Sequence, residues 1–384
     1  PDVNTLCEIF DEGAVHQRVG TFFHPSYLPA RFLWLKRTQP DLFSRVVRWM
    51  SIGEYMLLKL FGETAVSYSI ASWTGLLNRY TLNWDDTLLS YLPIRREQLS
   101  PLVDVGHTWK GLSSPYAERW SALKNVPWFP AVGDGATANI GSGCISPNRV
   151  AITMGTSSAV RVVHPGNVAK IPKGLWSYWV DRELSLVGGA LSEGGGVYDW
   201  LLNTLRIDSN LDIQTALNKI SPDSHGLTFL PLLAGERSPG WKGDARGALI
   251  GLSMANSALE ILRAGMEGVA YRIGLIYHLL EPSLPSDALA IANGGALLNS
   301  PVWVKMIADV LGRTVIMSQV EESSARGSAM LTLRSLGIVP DLDSFPQITG
   351  EEYKPNIEYY ERYQEAMQRQ KSLYEFLNTE SYGE

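Results

Sequence analysis

The sequence predicts an α/β protein organised as two domains. Three observations carry this prediction. The chain has 384 residues, more than one hydrophobic core normally organises. From Val150 onward, short β-branched and apolar runs bounded by turn residues alternate with helical stretches. Two of those runs lead into glycine turns, Gly155-Thr156-Ser157 and Gly294-Gly295-Ala296, a strand-to-turn pattern suited to holding an anion.

The elements follow in chain order. Residues 27–36 and 41–61 carry apolar side chains three and four apart, which predicts helices, and Pro40 separates them. Residues 67–84 are polar, aromatic and glycine-marked, which suits a loop or irregular strand lining a cleft, and 85–92 suits a short helix. Strands are expected at 150–154, 184–187, 288–292 and 314–318. The strongest helix signal spans 258–280. There Leu262, Met266, Val269, Ile273, Ile276 and Leu280 form one apolar stripe, and Ser257 with Glu260 makes a capping box. Residues 357–377 read as an amphipathic helix, and neither a solenoid-period repeat nor a low-complexity segment is visible.

Composition narrows the function. A formal net charge of −6 without a basic run argues against nucleic acid as partner. Cys7 and Cys144 belong to no Cys/His cluster, so neither a disulfide framework nor a zinc site is expected, which suits a reducing cytoplasm. No apolar run reaches membrane-spanning length, and the acidic N-terminus is unlike a signal peptide.

Asp134 lies between Gly133 and Gly135 at the start of a small-residue helix. A carboxylate there can take the proton of a hydroxyl that attacks phosphorus, and side-chain-free flanks let a substrate approach. The residues alone fit a general base or a helix cap equally well. Gly155, Thr156 and Ser157 offer backbone N–H groups and hydroxyls to an anion, or form a plain hairpin turn. Gly294, Gly295, Ala296 and Asn299 run from strand to helix start, which serves ligand binding or close strand–helix packing.

Together these segments resemble the FGGY carbohydrate kinases, built on the actin/hexokinase (ribonuclease H-like) ATPase fold. The likeness extends from about Gly20 to Leu377, with His24-Pro25-Ser26-Tyr27 and Gly247-Ala248-Leu249-Ile250-Gly251-Leu252 as supporting segments. It implies two actin-like lobes, at 1–145 for the sugar side and 146–384 for the nucleotide side. It assigns Asp134 as catalytic base. Gly155, Thr156, Ser157, Gly195, Gly294, Gly295, Ala296 and Asn299 go to the nucleotide; His24, Asp134 and Gly135 go to the substrate. Asp199 stands where some members carry Gln, and Trp200 reads as core.

The resemblance further implies ATP and Mg²⁺, a small sugar or sugar acid as partner, cytoplasmic location, and compatibility with a homodimer. Gluconate is the best reading of Gly155-Thr156-Ser157-Ser158-Ala159-Val160-Arg161; xylulose or another pentulose is the alternative, and a non-catalytic nucleotide-binding fragment is the second alternative. The family's Asp-x-Gly-Thr and Trp-x-Asp-x-Arg segments do not occur here and are expected upstream of Pro1, so the first lobe is expected to be incomplete. No metal ligand is identified in the chain, and residues 1–384 alone are expected to turn over little.

Overall fold

The computed structural model describes residues 1–208 and 210–379. Its second half is built on one seven-stranded sheet. The strands are β1 (Arg149–Met154), β2 (Ser158–Pro165), β3 (Trp176–Trp179), β4 (Leu184–Leu191), β5 (Leu289–Asn293), β6 (Val315–Ser318) and β7 (Thr349–Tyr353), in spatial order β7-β6-β5-β1-β2-β4-β3. β1, β5 and β6 run parallel, and the flanking pairs are antiparallel. The expected strands are all present. β2, β3 and β7 were not anticipated, because their alternation is broken by charge, by aromatics on both faces, or by polarity.

Strand alternation assigns the two faces of the sheet. Val150, Ile152, Met154, Val160, Val162, Val187 and Leu191 join the largest core, with α2 (Gly195–Thr204), α3 (Ala258–Leu280), α4 (Pro301–Leu311) and α6 (Ile357–Thr379). The opposite face, including Val163, Trp176, Tyr178 and Leu186, packs on α1 (Asp134–Gly141) and α5 (Ser323–Ser335). α1 and α5 cross at glycine. A Cβ on Gly141 would lie 1.8 Å from the Ser323 carbonyl oxygen, and one on Gly327 would lie 1.9 Å from that of Thr137. Only side-chain-free residues permit so close an approach.

The first half is helix-rich. Its core is formed by Leu6, Val15, Phe32, Leu76, Leu77, Trp84 and Leu88, and it reaches Trp179 on the β3 edge. The 41–61 stretch divides into Pro40–Ser44 and Ile52–Phe61, the latter opened by a Ser51/Glu54 capping box. Residues 67–84, expected to be irregular, hold a short helix (Tyr68–Trp73) and a small hairpin (Leu77–Asn78 with Asn83–Trp84). Ser67 caps that helix by accepting the Ile70 N–H at 3.1 Å.

α3 has the predicted bounds and the predicted cap, with Ser257 N–H donating to Glu260 at 2.7 Å. It differs from the expected single stripe. Sheet, α2, α4 and α6 surround it, so Arg263, Glu267 and Arg272 are buried as well. Glu267 satisfies this polar load. It accepts from Arg263 Nε at 2.8 Å, His225 Nε2 at 3.0 Å, and the Tyr271 and Tyr363 hydroxyls at 3.2 Å each. Burial pushes its carboxyl upward, but the His225 hydrogen bond and the Arg263 charge outweigh burial and hold it below the ordinary carboxylate value. Its contribution is therefore present above the unfolded carboxylate range and lost as pH falls through the folded value. Glu267→Ala is expected to cost about 3–5 kcal/mol by leaving Arg263 without its buried counter-charge. Urea unfolding at neutral pH measures this, and the difference from wild type should shrink in acid.

Candidate active site

β1 and β2 form a hairpin with Met154 opposite Ser158, so Gly155, Thr156 and Ser157 make its turn. The turn is held from above by the loop into α2. Gly195 N–H donates to the Gly155 carbonyl at 2.7 Å, Gly196 N–H to the Thr156 carbonyl at 3.0 Å, and Ser158 Oγ to the Glu193 carbonyl at 2.6 Å. The glycines are required here by contact. A Cβ on Gly194 or Gly195 would come within 2.7 or 2.8 Å of the turn's backbone.

Two cavities meet at this turn, one of about 510 Å³ and the other of about 340 Å³, and Gly155 and Thr156 line both. The smaller cavity brings together Gly195, Gly295, Ala296 and Asn299, with Tyr198 and Asp199. Asp199 thus stands on the wall of the smaller cavity. Gly155 and Gly295 are bare: an added Cβ would meet nothing within 4 Å at either position. Gly294 behaves differently and is not on the wall. Its φ is +98°, and a Cβ would lie 2.3 Å from the Met154 carbonyl oxygen, so it serves the approach of strand to strand. Trp200, expected in the core, is instead 46% exposed, because α2 turns that face away from the sheet.

The larger cavity contains Asp134, Gly135 and Ser157. Asp134 is the first residue of α1, Gly133 is the N-cap, and no side chain caps this end. The cap reading is therefore not realised, and the carboxylate is exposed on the cavity wall. Gly133 is fixed by Ser69 Oγ, which accepts its N–H at 3.1 Å, and by the Trp73 ring, so the entry to α1 has one position.

Across the cavity stand residues the motif reading did not select. Arg161 and Arg237 line it with Trp73, Trp176, Trp241 and the Tyr27–Tyr178 pair, whose hydroxyls are 2.6 Å apart. Arg161 sits beneath α1, and a Cβ on Gly135 would be 3.3 Å from its Nε. Burial lowers the Arg161 guanidinium to about 10, with the Asp134 charge opposing and Arg237 adding to the shift; it stays protonated at neutral pH. The available signal was one arginine inside the otherwise apolar run Ala159-Val160-Arg161-Val162-Val163. His24 is not on the wall. It accepts the Ser26 N–H at Nδ1 (3.1 Å) and packs edge-on against Trp241; burial, and secondarily Arg237, lower it to about 4, so it is neutral.

Among the described residues one group has metal-ligand spacing, Asp223, His225 and Glu267. Its residues line neither cavity and are already engaged: His225 Nε2 bonds Glu267, and its Nδ1 accepts the Leu227 N–H at 3.0 Å. No helix among the described residues is long and apolar enough to cross a membrane.

Residues 3–141 match the family model for the N-terminal domain of the FGGY family of carbohydrate kinases, and 150–336 match that for its C-terminal domain. The gluconokinase of Bacillus subtilis (strain 168) is 28% identical over 352 residues, 88% of this chain and 68% of the relative. Among solved structures, a ligand-bound xylulose kinase and a gluconate kinase, both from Lactobacillus acidophilus, superpose with TM-scores of 0.91 and 0.90. Each is 26% identical, over 99% of this chain and 78% of theirs. Because the two adjacent glycines differ so sharply in surroundings, Gly295→Val should melt within a few degrees of wild type. Gly294→Val should melt well below it, through left-handed strain and collision with β1. Calorimetric melting of the pair checks this.

Proposed function

The chain belongs to the FGGY family of carbohydrate kinases, and from that premise we propose that it transfers the γ-phosphoryl group of ATP to a hydroxyl of a sugar acid, with gluconate as the best reading. The observation that carries the proposal is the common wall of the two cavities. Nucleotide occupies the smaller cavity over Gly195, Gly295, Ala296 and Asn299, where the bare backbone of Gly295 leaves room for it. Its phosphates reach the Gly155-Thr156-Ser157 turn, where the Gly155 N–H closes the turn on the Ser157 carbonyl at 2.9 Å and the Thr156 and Ser157 N–H groups and hydroxyls serve as donors. The acceptor occupies the larger cavity beside Asp134.

In the reaction, the Asp134 carboxylate accepts the proton of the attacking hydroxyl as its oxygen bonds to the γ-phosphorus. The bond from that phosphorus to the bridging oxygen breaks, and ADP leaves. The expected Mg²⁺ has no built site among the described residues: the larger cavity has Asp134 as its carboxylate and the smaller has Asp199. Magnesium is usually held by one or two carboxylates together with substrate phosphates and water, so each cavity would supply at most one of those carboxylates.

Arg161 and Arg237 favour an acidic sugar. Two guanidiniums in one partly buried cavity repel each other, and a substrate carboxylate would relieve that repulsion while accepting their N–H groups. The three tryptophans supply apolar walls for the C–H faces of the carbon chain. The second reading, a pentulose, is favoured by the likeness to xylulose kinase, but a neutral ligand brings no counter-charge to the repelling pair Arg161 and Arg237.

Asp134→Asn is expected to lower kcat by about 10²- to 10⁴-fold with little change in either KM, as for loss of a general base. A coupled ADP-release assay tests it, and near-normal kcat would remove Asp134 from that role. Arg237→Met should raise the KM for gluconate about ten- to a hundredfold, the worth of a charged hydrogen bond. The KM for a neutral sugar, where it is turned over at all, should change little. Gly295→Val should weaken ATP binding in calorimetry while leaving sugar-acid binding intact.

A further inference from the structure

The loop that carries Arg237 and Trp241 to the larger cavity is held from its far side by the C-terminal helix. Within residues 236–242 the chain closes on itself: Glu236 N–H donates to the Lys242 carbonyl at 2.9 Å, and Trp241 N–H to the Arg237 carbonyl at 2.6 Å. Trp241 is bent into the left-handed region, with φ of 57°, which a tryptophan adopts only when its surroundings impose it. Its indole N–H donates to the Gly174 carbonyl at 2.9 Å, and Arg237 donates to the Leu191 carbonyl at 2.7 Å.

Glu236 is the buried end of this loop and is 1% exposed. One carboxylate oxygen accepts from Arg272 of α3 and from the Gly240 N–H at 3.2 Å; the other accepts the Tyr374 hydroxyl of α6 at 2.6 Å. Gly240 fits against this cluster because it lacks a side chain, since a Cβ would lie 2.0 Å from the Tyr374 oxygen. One helical turn further on, the Asn378 carbonyl accepts from Lys242 Nζ at 2.7 Å. Two residues of α6 thus grip both ends of a loop whose outward residues face the acceptor cavity.

We propose that Tyr374, acting through Glu236, and the Lys242–Asn378 contact are positioning elements for the sugar substrate: they set Arg237 and Trp241 against the acceptor. This rests on the reading of the larger cavity as the acceptor site. No residue of α6 lines either cavity, and its contact with the larger cavity's wall runs through the loop at 236–242.

The test compares Tyr374→Phe, Lys242→Met and Arg237→Met with wild type, measuring KM for gluconate, KM for ATP, kcat and melting temperature. Tyr374→Phe removes only the hydroxyl and keeps the ring beneath Arg272, which lies 5.2 Å from its centroid. Both positioning variants should raise the gluconate KM about tenfold, with the ATP KM unchanged, as loss of substrate alignment predicts. Should Tyr374→Phe fail to fold, Lys242→Met alone decides, because it breaks one contact at the helix end. A normal gluconate KM in both variants, with a raised one in Arg237→Met, overturns the proposal. A parallel rise in both KM values also overturns it, by showing a general structural effect. An unchanged gluconate KM in Arg237→Met instead overturns the acceptor-site reading, and the proposal with it.

Discussion

The hydrogen bond from Gly195 N–H to the Gly155 carbonyl is the contact on which the site depends. It joins the start of α2 to a hairpin turn between β1 and β2, elements separated by some forty residues of chain. The approach is possible only because Gly194, Gly195 and Gly196 carry no side chains where the turn's backbone passes within about 3 Å of where a Cβ would stand. Held in this way, the turn divides one cleft into two cavities while belonging to both. A phosphoryl group transferred between them would have to cross at Gly155 and Thr156.

Most of this architecture was legible because it is written in glycine and in periodicity. The long helix Ala258–Leu280 appeared with its correct ends, since cap chemistry and apolar spacing are local signals. That Asp134, Gly155 and Gly295 would stand on a cavity wall was legible for a similar reason: small residues around a carboxylate, or after a strand, have few uses. The arginines were harder to see. Arg161 and Arg237 lie 76 positions apart and meet only because strand alternation points one toward α1 and the loop at 236–242 swings the other across. Gly294 and Gly295 are indistinguishable as letters. Only the fold shows that one faces a carbonyl and the other open space.

Charge placement separates the two cavities. Acidic and basic groups coexist in the larger one, where Asp134 stands against Arg161, and Arg161 keeps its proton although burial draws it down to about 10. Elsewhere, buried charge serves the scaffold. Glu267 and Glu236 each bind an arginine of α3 and a tyrosine of α6, so the longest helices of the second half are cross-linked by two carboxylates.

The crossing of α1 and α5 at Gly141 and Gly327 makes a lever of the helix that bears Asp134. Its fulcrum lies at the far end, about 10 Å from the carboxylate at 1.5 Å of rise per residue. Even a single methyl at Gly327 would have to push the two backbones apart, and the displacement would load the Asp134 end of α1, whose entry is tethered at Gly133. Misplacing a reacting group by about 1 Å can cost on the order of a hundredfold in rate. Gly327, nearly two hundred residues from Asp134 in sequence and on neither cavity wall, is therefore coupled mechanically to the wall that Asp134 occupies.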